Sequence, residues 1–190
     1  MHTESTNTEL VLIGGSAGSL QVILEMIKNI SEKLNFPIIL VLHRKAHSTN
    51  ILQTLLQQFI STEVVEIDDK TDIRKNKIYI VPADYHLLFE NKKTMSLDSS
   101  EKMNYSRPSI DVTFKSAAEV YGKTLVGILL SGANADGVEG LAYIKKNNGK
   151  VWIQDPKTAE VDYMPKHAVE EVKYDLLIKP DNLADYINQL

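Results

Sequence analysis

Three runs of consecutive apolar residues, at 10–14 (LVLIG), 37–43 (PIILVLH) and 125–130 (LVGILL), constrain the fold more than any other feature. A strand with one solvated face alternates apolar and polar residues. A strand that is apolar throughout must be covered on both faces, which is the pattern of a parallel sheet sandwiched by helices. The intervening stretches fit those helices. Leu20, Ile23, Leu24, Ile27 and Ile30 recur at helical spacing within 20–33. The spacing predicts a second helix over 48–60, with Ser48 as its N-cap.

The middle of the chain has a different texture. Short apolar segments at 64–67, 78–81, 86–90 and 95–97 are separated by polar turns, a spacing that suits antiparallel hairpins. Beyond them the alternation of helix and strand resumes. Helices are expected at 109–121, 136–147 (ended by Gly149), 165–172 and 182–190, and strands at 125–130, 150–154 and 175–178. The expected fold is α/β: a doubly wound, mostly parallel sheet with helices on both faces and a small antiparallel hairpin insertion. Residues 10–190 are read as one domain behind a flexible polar tail, 1–9.

Composition removes several functions. A net charge of -4 provides no basic field for a nucleic-acid backbone. The absence of Cys excludes disulfides, thiolate metal sites and a Cys nucleophile. No apolar run approaches the ~20 residues of a membrane span, and 1–9 lacks the apolar core of a secretory signal. The chain is expected to be soluble and cytoplasmic, with no membrane insertion.

In open parallel sheets, sites form beyond the carboxyl ends of the strands. Ser16 lies in the GGSAGS turn after the first strand, His43 ends the second, and Asp136 follows the strand at 125–130. A serine hydroxyl needs a base to take its proton, histidine is the usual base, and a carboxylate fixes the imidazole tautomer. The glycines around Ser16 permit a sharp turn into a helix N-terminus, where N–H groups can stabilise an oxyanion. Each residue also has a plainer reading. Ser16 alone could be a turn residue or helix cap. His43 and His47 form an i, i+4 pair, but Arg44-Lys45-Ala46 between them lacks the glutamate of a zinc-binding helix, so no metal site is assigned. Asp111 and Asp155 compete with Asp136, the first as an acidic residue at a helix start and the second as a turn entry before Pro156. His86 and His167 read as structural or exposed positions.

GGSAGS, LVLHR (40–44), RPSIDVTF (107–114), GILLSGANADGVEG (127–140) and QDPKTAEVDYMP (154–165) together resemble the catalytic domain of the CheB family, over roughly 10–190. That family removes methyl esters from chemoreceptor glutamates and can deamidate receptor glutamines. The resemblance implies Ser16 as nucleophile, His43 as base and Asp136 as orienting carboxylate. It also implies oxyanion donors at the N–H groups of Ala17 and Ala133, and a substrate groove lined by Tyr105, Arg107 and Met164. No cofactor or metal is implied, and the partner is the cytoplasmic domain of a methylated chemoreceptor.

Two segments depart from the family pattern. S-T-G-G is replaced by Ser16-Ala17-Gly18-Ser19, and L-T-G-M-G by Leu130-Ser131-Gly132-Ala133-Asn134. Both changes keep a backbone donor but alter the pocket. The family's receiver domain is not expected, because the first strand begins about ten residues in. Two other readings are set beside the esterase. One is an interaction module of a signalling array that has lost catalytic strength. The other is a phosphate cradle at GGSAGS, which lacks both G-x-G-x-x-G and G-x-x-x-x-G-K-[ST].

Overall fold

The computed structural model describes residues 7–45 and 50–190. Its main sheet is built from β1 (Leu10–Gly15), β2 (Ile38–Leu42), β3 (Val64–Glu66), β4 (Ile78–Ile80), β7 (Leu125–Leu129), β8 (Lys150–Gln154) and β9 (Leu176–Ile178). The strands lie in the order β3-β4-β2-β1-β7-β8-β9, and every neighbouring pair is parallel. A separate antiparallel pair, β5 (His86–Phe89) with β6 (Met95–Asp98), forms the insertion.

Alternation along the buried strands distributes side chains to two cores. Leu10 and Leu12 join the face covered by α3 (Ile110–Tyr121), α4 (Val138–Lys146), α5 (Tyr163–Glu171) and the β5–β6 pair. Val11 and Ile13 join the face covered by α1 (Ser19–Asn29), α2 (Ile51–Gln57) and α6 (Leu183–Asn188). Both faces of β1 are fully buried, as its unbroken apolar sequence requires. Cutting Ile13 back to Ala would cost about 2–5 kcal/mol, because the helices above it cannot collapse into the space.

The doubly wound sheet with its hairpin insertion agrees with expectation, but the expected hairpin pairing of 64–67 with 78–81 does not hold. β3 and β4 run parallel at the edge of the main sheet, joined by irregular chain over 67–77. Ile78, Tyr79 and Ile80 are buried without alternation. A two-face burial pattern belongs to a sheet interior and not to a surface hairpin.

Element ends also moved. α1 stops at Asn29, short of residue 33, because Ile30 turns extended and drops into the core. At the end of α4 the left-handed position is taken by Asn148 (φ 66), while Gly149 donates back to the Ile144 carbonyl. α4 itself begins only at Val138, so Asp136 lies ahead of the helix with its side chain able to turn elsewhere. Ser48 and His47 lie outside the described residues. Of the expected tail, residues 1–6 lie outside them too, whereas Thr8 is buried and the Glu9 N–H bonds the Thr124 carbonyl. No helix among the described residues is long and apolar enough to cross a membrane.

Candidate active site

The register of β1 against β2 places Gly15 opposite Leu42. The next residues, Ser16 and His43, therefore leave the sheet side by side, and the His43 N–H donates to the Gly15 carbonyl at 3.2 Å. On the other flank the Ser16 N–H donates to the Ser131 carbonyl at 2.9 Å. The winding of the sheet reverses here: β1 leads through α1 to β2, and β7 leads the opposite way through α4 to β8. Such a reversal opens a crevice at the carboxyl ends of the strands.

The turn at Ser16 is tightly held. Gly18 adopts φ 80, a left-handed conformation that side chains disfavour, and it delivers the chain into α1. Ser19 returns both its N–H (3.1 Å) and its hydroxyl (2.6 Å) to the Ser16 carbonyl. Ser131 ties this turn to the segment before α5: its hydroxyl donates to the Ala17 carbonyl (2.7 Å) and accepts the Val161 N–H (2.9 Å). The Ser131 N–H is itself fixed by the Gln154 side chain at 2.9 Å. A Cβ on Gly132 would come within 2.6 Å of Met164 Cε and 3.1 Å of Ser16 Cβ. Only glycine lets this loop lie against the floor beneath Ser16, and fully buried Met164 forms that floor.

His43 Nε2 lies 2.6 Å from Asp136 Oδ2, with the carboxylate wholly buried and the imidazole 12% exposed. That contact leaves Nδ1 as the ring nitrogen available to a nucleophile. Asp136 also accepts the N–H groups of Ile110 (2.7 Å) and Asp111 (3.0 Å), the Ser109 hydroxyl (3.0 Å) and the Asn104 amide (3.3 Å). It thus sits on the N-terminus of α3, where unpaired N–H groups and the helix dipole favour an anion. Burial pushes its carboxyl upward, but the His43 and backbone hydrogen bonds prevail and hold it below the ordinary carboxylate range. Among the described residues the Ser16 hydroxyl makes no hydrogen bond. Contacts between nucleophile and base commonly tighten only when substrate binds.

The rival carboxylates have other duties. Asp111 Oδ1 accepts the N–H groups of Gly137 (2.9 Å) and Gly140 (2.7 Å), so it anchors α4 from the first turn of α3. Burial, with Asp136 close by, raises its carboxyl to about 6 against the pull of the Gly140 amide. Asp155 accepts the Lys157 N–H at a short 3-10 turn, as a turn entry should.

The N–H groups of Ala17 and Ala133 meet no acceptor among the described residues. Arg107 borders the same cavity as His43, but its guanidinium is spent on Asp84 and on the Ser99 and Ser100 carbonyls. It ties the chain around the insertion together. No group of three or more His, Asp or Glu among the described residues is placed to hold a metal.

Sequence reading missed the parts played by Ser131, Ser109 and Asn104, and took His86 only as a structural or exposed position. Ser109 had a readable signal, since it stands immediately ahead of a helix and caps it by accepting the Val112 N–H. His86 is buried, accepting the Ser109 N–H at Nδ1 (3.1 Å) and donating from Nε2 to the Glu101 carbonyl (2.9 Å). Nothing local in the sequence reveals that pairing.

Known proteins share this fold. Residues 11–187 match the family described as CheB methylesterase. A Leptospira interrogans relative is 37% identical over 184 residues, covering 97% of this chain and 95% of its own. A Clostridium acetobutylicum protein named protein-glutamate methylesterase/protein-glutamine glutaminase is 32% identical, covering 96% of this chain and 53% of its own. The crystal structure of the Thermotoga maritima CheB methylesterase catalytic domain superposes with a TM-score of 0.91 at 30% identity, over 96% of this chain and 98% of that one. The chain belongs to the CheB methylesterase family.

Proposed function

We propose that the chain is a protein-glutamate methylesterase of the cytoplasm that acts on methylated chemoreceptor cytoplasmic domains, with Ser16 as nucleophile, His43 as base and Asp136 as orienting carboxylate. The observation that carries this reading is the 2.6 Å contact between His43 and a fully buried, multiply bonded Asp136 at the strand end beside Ser16. A carboxylate so fixed holds the imidazole in one tautomer and stabilises the imidazolium formed during attack.

In the reaction, His43 Nδ1 takes the Ser16 proton as Oγ adds to the ester carbonyl. The N–H groups of Ala17 and Ala133 receive the oxyanion. His43 then protonates the departing methoxide, releasing methanol and leaving an acyl-Ser16. Water, deprotonated by the same ring, attacks the acyl group and frees the glutamate carboxylate and Ser16. A glutamine side chain would follow the same course with ammonia leaving, which fits the double name of the Clostridium acetobutylicum relative. No step calls for a metal or cofactor.

The test is methanol release from receptor cytoplasmic fragments methylated by their cognate methyltransferase. The wild type releases methanol and Ser16→Ala does not. Release that survives Ser16→Ala overturns the nucleophile, and none from folded wild type overturns the substrate.

A further inference from the structure

The loop between β6 and α3 contains a feature that the triad leaves unexplained. Met103 and Ser106 bond each other through both backbone pairs, N–H to carbonyl at 3.1 and 2.9 Å, closing a two-residue turn on Asn104 and Tyr105. Both tip residues have positive φ, 52 and 62. Asn adopts that conformation readily, but a bulky aromatic residue seldom does. Tyr105 is nevertheless held there with 97% of its surface exposed. The anchor is Asn104, whose amide spans Asp111 Oδ2 (3.0 Å) and Asp136 Oδ1 (3.3 Å). The turn is thus bolted to the same carboxylate that holds His43.

Tyr105 stands on a ridge between two cavities of differing charge. One, of 540 Å³, contains His43 and among the described residues is lined by Arg44, Lys45, Lys102 and Arg107 against a single carboxylate, Asp84. The other, of 590 Å³, contains Asp136 with Asp111, Glu139 and Glu171. A chain of net charge -4 has therefore placed a cationic groove directly beside its base. Arg107 is already paired with Asp84 and Arg44 with Glu66. Lys102, on the exposed rim next to the turn, contributes an outward-facing charge.

We propose that the Asn104–Tyr105 turn is the substrate-reading element of the site: Tyr105 packs on the polypeptide flanking the ester, and the groove beside His43 takes acidic side chains of that same polypeptide. The inference rests on the methylesterase reading and specifies its substrate as an acidic segment rather than any accessible ester.

The test compares the methylated receptor fragment with a small activated ester, p-nitrophenyl acetate, for wild type, Tyr105→Ala, Tyr105→Phe and Lys102→Glu. Loss of a well-packed aromatic contact is expected to raise KM for the fragment about tenfold in Tyr105→Ala, with kcat at saturation falling less than about twofold. The selectivity for fragment over small ester drops in step, and Tyr105→Phe restores most of it. Lys102→Glu raises KM for the fragment about threefold or more at low ionic strength, and the effect fades as salt is added. Equal losses on both substrates would mean that the turn merely props the triad and would overturn the proposal. So would an unmoved KM in both variants. Wild type active on the small ester but silent on the fragment would instead overturn the methylesterase reading, and this proposal with it.

Discussion

Asp136 and Asp111 occupy mirror-related positions and behave oppositely. Asp136, just ahead of α4, anchors the N-terminus of α3, while Asp111, in the first turn of α3, anchors the N-terminus of α4. Asn104 bridges the two. Yet Asp136 is held below the ordinary carboxylate range and Asp111 is raised to about 6. Both pay for burial. The difference is His43, which gives Asp136 a charge-assisted partner, and the proximity of the two carboxylates, which penalises ionising the second. A helix terminus alone does not make a site carboxylate. The His43 contact separates Asp136, the carboxylate proposed to orient the base, from Asp111, which bonds the amides at the start of α4.

Substitutions that remove one carboxylate at a time break this comparison, and the largest effect is expected at Asp136. Asp136→Asn presents an amide donor where His43 and the α3 amides need an acceptor. It is expected to lower kcat for methanol release about 10³–10⁴-fold, in keeping with triads whose orienting aspartate is lost. Asp111→Asn is expected to retain kcat within about tenfold, since it does not touch the imidazole. Equal losses in both variants would erase the distinction.

Stability against pH sharpens the same contrast. The raised carboxyl of Asp111 favours the folded state when protonated. Its contribution is fully present below its ordinary value of 3.8 and is lost as pH rises through about 6. Wild-type denaturation midpoints are expected to carry a declining contribution between those values, which Asp111→Asn should lack. The lowered carboxyl of Asp136 works in the opposite direction. It stabilises above the ordinary carboxylate range, and that stabilisation disappears as pH falls through its depressed value. The smallest effect is expected for Ser109→Ala, which deletes one donor to Asp136 and the cap on α3. It should cost about 1 kcal/mol in chemical denaturation and reduce kcat only severalfold.

Much of this was written in the sequence. The unbroken apolar runs at β1, β2 and β7 required a two-sided parallel sheet, and the strand-end reading of Ser16, His43 and Asp136 agrees with the contact of His43 with Asp136 and with Ser16 leaving the sheet beside His43. The parallel pairing of β3 with β4 was not legible, because three-residue strands between polar loops carry too little pattern to separate pairing modes. The reciprocal anchoring by Asp111 was hidden for another reason. Its sequence position favours its own helix, and only the packing of α3 beside α4 shows that it serves the neighbour. Arg107 illustrates the same limit, since a family-like motif cannot reveal that its guanidinium is consumed by Asp84 and two carbonyls.

The most direct test of the central claim, that Asp136 acts through His43 to activate Ser16, is the rate and site of labelling by a serine-directed fluorophosphonate, read by mass spectrometry. The account predicts stoichiometric labelling of Ser16 in wild type, none in Ser16→Ala, slowing by about 10³-fold in Asp136→Asn, and a near-wild-type rate in Asp111→Asn. Labelling at another residue, or an undiminished rate in Asp136→Asn, would contradict it.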